Sequence, residues 1–296
     1  MTHFRWLHLL TAIVSLCLMD SIAVADPVRI VLVAGETAEV DTMGHHDYLA
    51  GCECLRVLLS QSANVEPVRV NDGWPSDDGI FDGAAAIVFY TDGGGKQAFL
   101  NSPERTARVQ ALVDSGVGLV MIHQAVDFPE AVADQARSWL GGIYQKDQSG
   151  RGHWPSAHVD FPDHPVCRGV TPWKVKDGWL NGIQFVADRA GVTPLVWSGK
   201  DYEESSRSND ADIVAWTFDR PDKGRSFCFT GLDAHSAWEL PGMTQLVVNG
   251  ILWSAHQDIP AEGAPSSISK QQLDEMLTPR KPKPSAKKPA KTSERK

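Results

Sequence analysis

The sequence is short of cysteine and tyrosine, with five and four respectively in 296 residues. So few thiols exclude a disulfide-dense secreted scaffold. Cys17 lies in an N-terminal apolar run, which leaves Cys52, Cys54, Cys167 and Cys228 for the folded body. Cys52 and Cys54 are two apart on a predicted helix and point away from each other. Cys167 and Cys228 either bridge or stay as buried thiols. A Cys-x-Cys with no second cysteine pair is a poor zinc signal.

Phosphate-binding signatures are also missing. Gly93-Gly94-Gly95 follows a strand pattern, but it lacks the trailing Lys-Ser/Thr of a P-loop and the G-x-G-x-x-G spacing. No nucleotide cofactor is expected; a tight loop at a pocket rim is. Positive charge is scarce in the body. Residues 280–296 carry eight Lys/Arg against one Glu, and residues 1–25 balance, so a formal charge of −9 leaves −16 on residues 26–279. An acidic body does not suit nucleic acid.

Long apolar runs are absent beyond residues 7–19. That run follows Arg5 and precedes Ala23-Val24-Ala25, a small-x-small cleavage pattern. It is short of the about 20 residues needed to span a bilayer. A signal peptide over 1–25, cleaved after Ala25, is expected. It implies an exported, periplasmic or extracellular protein with no membrane anchor after cleavage.

What is present is an α/β pattern. Residues 28–33, 65–70 and 83–90 read as strands, and Pro67 argues for an edge position. Helical periodicity covers 48–59, with Leu55, Leu58 and Leu59 on one face, and 103–114. The strand at 116–122 is the most apolar and stops at His123-Gln124; a helical pattern follows over 129–140. This order implies a doubly wound, mostly parallel sheet with right-handed crossovers and helices on both faces. From Gly141 a β-rich part is added, with residues 150–154 read as a loop. Strands are expected near 157–161, 173–179, 192–198, 212–218 and 225–230, then a closing helix over 242–255. The organisation is therefore 1–25 signal, 26–259 one domain, and 260–296 a linker and basic Lys/Pro-rich tail that buries no core. A short helix is read within that segment at 270–277. The tail either contacts an anionic surface or is simply solvated.

Open α/β sheets put chemistry at the carboxyl ends of their strands. Here those ends supply His45/His46, the Asp92 loop and His123. A strand–turn–helix at His123 has the form that lifts one side chain into a pocket; the alternative is a histidine that only terminates the strand.

Several stretches resemble the ThuA-like, trehalose-utilisation family on a class I glutamine-amidotransferase-like fold, nearest a secreted branch. They include His46-Asp47-Tyr48-Leu49-Ala50-Gly51, Tyr90-Thr91-Asp92-Gly93-Gly94-Gly95, Ile122-His123-Gln124-Ala125-Val126-Asp127, Pro162-Asp163-His164-Pro165 and Asn249-Gly250-Ile251-Leu252-Trp253. The resemblance runs from about Val28 to His256. It implies a flavodoxin-like sheet and a role in sugar catabolism, by hydrolysis or rearrangement of a (keto-)glycoside. Amidotransferase relatives of the fold use a cysteine at the elbow; His123 stands there instead, which excludes glutaminase chemistry. Three positions depart from the family pattern. Asp177-Gly178-Trp179 stands for Asp-Glu-Trp, Asp233 stands for a histidine, and Gln97 stands for another.

Sugar chemistry needs a base and an acid, and imidazoles supply both near neutrality. The catalytic candidates are His46, His123 and His235 with Asp177 and Asp233. His123 is read as general base, and Asp177 or Asp233 as the group that orients it or protonates the leaving oxygen. Substrate-binding candidates are Asp92, Gly93, Gly94, Gln124, Asp127 and His153, with Trp154, Trp179 and Trp238 to stack on sugar faces. The same imidazole–carboxylate set suits a divalent metal, although no short HxxxH spacing assigns its ligands. The expected partner is a small sugar or glycoside. The alternative is a catalytically degenerate carbohydrate-binding module. No oligomeric state follows from the sequence.

Overall fold

The computed structural model describes residues 26–36, 44–199 and 209–278. The expected signal over 1–25 and the tail from 279 lie outside them. Among the described residues no helix is long and apolar enough to cross a membrane.

In chain order the strands are β1 (Val28–Ala34), β2 (Val65–Val70), β3 (Ala86–Tyr90), β4 (Gly118–Ile122), β5 (Gly142–Ile143), β6 (Gly150–His158), β7 (Trp173–Asn181), β8 (Gln184–Phe185), β9 (Val192–Trp197), β10 (Ile213–Asp219) and β11 (Arg225–Phe229). The helices are α1 (Tyr48–Leu59), α2 (Pro103–Asp114), α3 (Ala133–Leu140), α4 (Pro241–Ser254) and α5 (Lys270–Met276). One sheet dominates, in the order β2-β1-β3-β4-β11-β10-β9. Its first five strands are parallel; β10 and β9 add antiparallel. Pro67 sits on the edge strand β2, where a missing N–H costs least.

The central strands β3 and β4 are apolar throughout, and β1 is from Ile30 on, because both faces are covered. Along β1, Ile30, Leu32 and Ala34 pack on the side of α1 and α4. Val31 and Val33 pack on the side of α2 and α3. β3 and β4 divide in the same way. The two layers explain why Cys167 and Cys228 form no disulfide: Cys167 packs against one layer and Cys228 lies in the other.

Two expectations need correction. Residues 150–154 are not a loop but the start of β6, which pairs antiparallel with β7 from Gly150↔Asn181 to His158↔Trp173. Their two glycines and lone large apolar residue hide a strand, because pairing rather than propensity forms it. Residues 260–278 are not a free linker. Ala264 and Leu273 are buried. Ala264 is held by Asn249 Oδ1 and Gln245 Nε2. Ser269 opens α5 with a reciprocal capping box. Thr278 donates from both N and Oγ1 to the Asp47 carboxylate, at 2.9 and 2.6 Å. This arm ends on the cap of α1.

Truncation after Pro260 should therefore lower Tm by about 5–15 °C in a thermal melt. Emptying the Leu273 site alone removes about 2–5 kcal/mol, and a domain this size loses about 2–4 °C per kcal/mol. An unchanged Tm would mean the arm contributes nothing.

His158 generates a second test. Its ring is buried against Trp173 and Trp179, and burial pushes its pKa down from 6.5 to about 4. The unfolded chain binds the proton first. The neutral ring's contribution is thus present above about pH 6.5 and lost as pH falls through 4, by at most about 3 kcal/mol. Denaturant titrations of His158→Phe should show a flatter loss of stability than wild type between pH 6.5 and 4. His164 and His256, also shifted down, cancel in that comparison.

Candidate active site at the carboxyl edge of the sheet

Beyond β11 the chain turns through Thr230–Ala234, and a buried carboxylate shapes that turn. Asp177 Oδ2 accepts from Leu232 N at 2.7 Å, and Oδ1 from the N–H groups of Gly178, Asp233 and Ala234 at 2.9, 3.2 and 3.2 Å. Tyr90 Oη donates to the Leu232 carbonyl from the other side. The turn is strapped to the segment before α1: His46 N donates to Asp233 O and His235 N to Gly44 O. His46 and His123 both adopt left-handed backbone, each at φ 56°. For His123 this is the sharp strand-to-turn bend that projects a side chain off the sheet edge.

The result is three imidazoles on one carboxylate. Asp233 Oδ1 lies 3.1 Å from His46 Nε2 and 3.2 Å from His123 Nε2. Asp233 Oδ2 accepts from His153 Nε2 at 2.6 Å. Each imidazole differs in its second partner. His123 Nδ1 donates to the Thr230 carbonyl at 3.0 Å. His46 Nδ1 faces Asp92 Oδ1 at 3.4 Å, and Tyr48 Oη donates to that oxygen at 2.6 Å. His153 is half exposed.

Electrostatics follow from this packing. Hydrogen bonds to Asp233 and then Asp92 push the His46 pKa up to about 9, against the opposing effect of burial. The His46 contact in turn holds Asp92 well below the carboxylate range. Burial alone would raise Asp233, but the contacts with His123 and His46 together hold it low. Burial raises Asp127, with Arg151 opposing.

Two cavities meet over the cluster and share His46, Gln124 and Arg151. The larger, about 740 Å³, is bounded by Asp92, Asp127, Glu130 and Gln145 among others. The smaller, about 410 Å³, reaches His123, His153, Trp179 and Asp233. Asp92, Gly93, Gly94, Gln124, Asp127 and His153 thus line cavities. A 500 Å³ groove near Trp238 and Pro260 lies away from this chemistry.

Other candidates sit elsewhere. His235 is buried with Nε2 on the Leu273 carbonyl, so it braces α5 and does not join the cluster. Asp177 is spent on backbone N–H groups, so it is a brace and no proton donor to a substrate. His123 is only 2% exposed; it forms the floor of the smaller cavity, with Nε2 turned to Asp233. Trp154 is core, donating to Ser198 Oγ. Trp238 is core beside Tyr90. Trp179 is buried too, with one edge on the smaller cavity. Sequence reasoning missed Arg151, Glu130 and Gln145, because single polar residues in turns carry no pattern. The triple glycine is no anion cradle. Gly94 N donates to the Asp127 carbonyl and Gly95 N to Gln97 Oε1. A Cβ on Gly93 would lie 2.1 Å from the Gln124 carbonyl, so the loop is glycine to pack against the His123 turn.

Residues 30–254 match the trehalose-utilisation family ThuA. The chain belongs to the ThuA family. A ThuA-like protein from Parabacteroides merdae shares the fold with a TM-score of 0.55 at 16% identity, covering 83% of this chain and 99% of that one. One from Bacteroides uniformis gives 0.58 at 14% identity, covering 82% and 96%. No curated protein matches.

For this ThuA protein the departures become interpretable. A Cβ on Gly178 would lie 2.2 Å from Asp233 Oδ2. Gly178 therefore makes the space that the Asp233 carboxylate fills. Gln97 is fully buried and donates to the carbonyls of Ala125 and Asp127, so it ties the glycine loop to the turn instead of facing substrate. Gly178 and Asp233 are thus coupled by contact, and Gln97 is structural.

Gly178→Ala should cost about 1–3 kcal/mol by overpacking and displace Asp233. In an Asp233→Gly background the same change should cost almost nothing. A denaturant-unfolding double-mutant cycle with no coupling energy would overturn the coupling by contact.

Proposed function

We propose that this protein hydrolyses or rearranges a glycoside or keto-glycoside by proton transfer in the His/Asp cleft. The observation that carries the reading is the convergence of His46, His123 and His153 on Asp233 where two polar cavities meet. Family membership supports the sugar class. A cavity of about 740 Å³ edged by carboxylates, amides and a guanidinium suits a polyhydroxyl ligand, within the usual range of about 300–1,000 Å³. In this reading His153 is the base: its Nε2–H is held by Asp233, which leaves Nδ1 as the acceptor. Asp127, raised by burial, is the acid, and Arg151 beside it at 3.6 Å orients hydroxyls. His123 positions Asp233. An export signal over 1–25 would place this activity outside the cytoplasm, and the basic tail would then meet anionic surfaces.

The alternative is a catalytically degenerate carbohydrate-binding module. A panel of glycosides and 3-keto-glycosides separates the two. Turnover is expected, with His153→Gln and Asp127→Asn each slower by about 10²–10⁴-fold in kcat. Saturable sugar binding with no turnover would favour the binding module.

A further inference from the structure

Two atoms at the floor of the cleft have no hydrogen-bond partner although both are buried: His123 Nε2 and Asp233 Oδ1. They face each other at 3.2 Å. The reason is the His123 tautomer. Its Nδ1 carries the proton given to the Thr230 carbonyl, which can only accept. Nε2 of the neutral ring is then a lone pair aimed at a carboxylate oxygen. His46 Nε2 also faces Asp233 Oδ1, at 3.1 Å, with Nδ1 directed at Asp92, so a cation bound here would take the place of an imidazole proton. Two buried acceptors, His123 Nε2 and Asp233 Oδ1, thus face each other with a third nitrogen beside them. Without a cation between them that facing pair is costly.

We infer that His46 Nε2, His123 Nε2 and Asp233 Oδ1 bind one divalent transition-metal cation, zinc being the best match. The donor set, two imidazoles and a carboxylate, is that of catalytic zinc sites. Metal–ligand bonds of about 2.0–2.1 Å in tetrahedral array put ligand atoms about 3.3 Å apart, close to the 3.1 and 3.2 Å found here. The three donor atoms all lie within 4.8 Å of one another. Every ligand also has an outer partner of the kind that fixes metal-binding tautomers: the Thr230 carbonyl for His123, Asp92 for His46, and His153 for the second oxygen of Asp233. The Gln124 amide nitrogen lies 3.2 Å from His46 Nε2 and would turn aside when a metal takes that nitrogen, and the fourth position opens to the cavities. A second grouping, His45, His153 and Asp233, is a weaker candidate because the 2.6 Å His153–Asp233 contact is a hydrogen bond with no room between the atoms.

This inference shares the cleft with the proposed hydrolase but is read without any sugar. Chelator-stripped full-length protein is titrated with Zn²⁺ and with Co²⁺ by calorimetry and visible absorption. Saturation at one equivalent with low-coordinate Co²⁺ absorption is expected. His123→Gln and Asp233→Asn should each weaken binding by more than about 100-fold, and His153→Gln by about 10–100-fold as an outer partner. His45→Ala should leave it unchanged. Anomalous diffraction from wild-type crystals soaked in Zn²⁺ should place the ion between the three named atoms whether or not the variants fold. No saturable binding, an ion elsewhere, or loss through His45→Ala would overturn the inference. So would full turnover by metal-free protein, which would leave the hydrolase reading intact. Metal binding with no glycoside turnover would support the inference and count against the hydrolase.

Discussion

The site depends on the solvation of one buried carboxylate by backbone. Asp177 is 1% exposed, and four N–H groups stand around it in place of water. A buried charge without such donors would be strongly unfavourable. Its demand therefore dictates the path of the β11 turn, including the left-handed Leu232 at φ 66°. That path aims Asp233 at the cleft, and the backbone bonds between 44–46 and 233–235 bring His46 to meet it. The reactive cluster is thus a consequence of how a non-reactive aspartate is satisfied.

Around Asp233 the charges are mutually enforcing. The carboxylate stays ionised in a buried place because imidazoles surround it, and His46 takes positive charge readily because two carboxylates flank it. Such clusters concentrate at functional sites, where shifted titrations serve proton transfer or ligand binding. The supporting layer is rigid: Gln97 pins the glycine loop to the His123 turn, and Tyr48 pins Asp92. A second set of braces lies further out. Thr278 caps Asp47, the residue after His46, and Leu273 receives His235. The C-terminal arm therefore supports both segments that strap the site together.

Much of the fold was legible in the sequence because the strands announce themselves. β3 and β4 are apolar throughout, and β1 from Ile30 on, because both faces are covered, and Pro103 to Asp114 matches α2 residue for residue. Less of the site was legible. His46, His123, Asp233 and Asp92 were placed by their position just beyond strands. His235 obeys the same positional rule yet points into α5. Strand-end position specifies the edge of the sheet but not the rotamer. The tryptophans failed for a related reason: a large ring beside polar residues reads alike whether it stacks on a sugar or fills a core, and Trp154 and Trp238 fill the core.

By itself the sequence determined the layers, the parallel order of the main sheet and the edge at which chemistry would gather. Those follow from periodicity and connection rules, which are local or nearly so. Tertiary structure alone decided which polar residues meet. Asp233 and Gly178 are 55 residues apart in number, and only the pairing of β6 with β7 over the β11 turn reveals that one fills the space the other leaves. The docked arm at 260–278 was likewise hidden, because a few scattered apolar residues among small and polar ones show no core pattern until the groove between α1 and the 235–239 turn is there to receive them. Contacts between distant segments depend on geometry that composition does not encode, and the chemistry of this cleft is made almost wholly of such contacts.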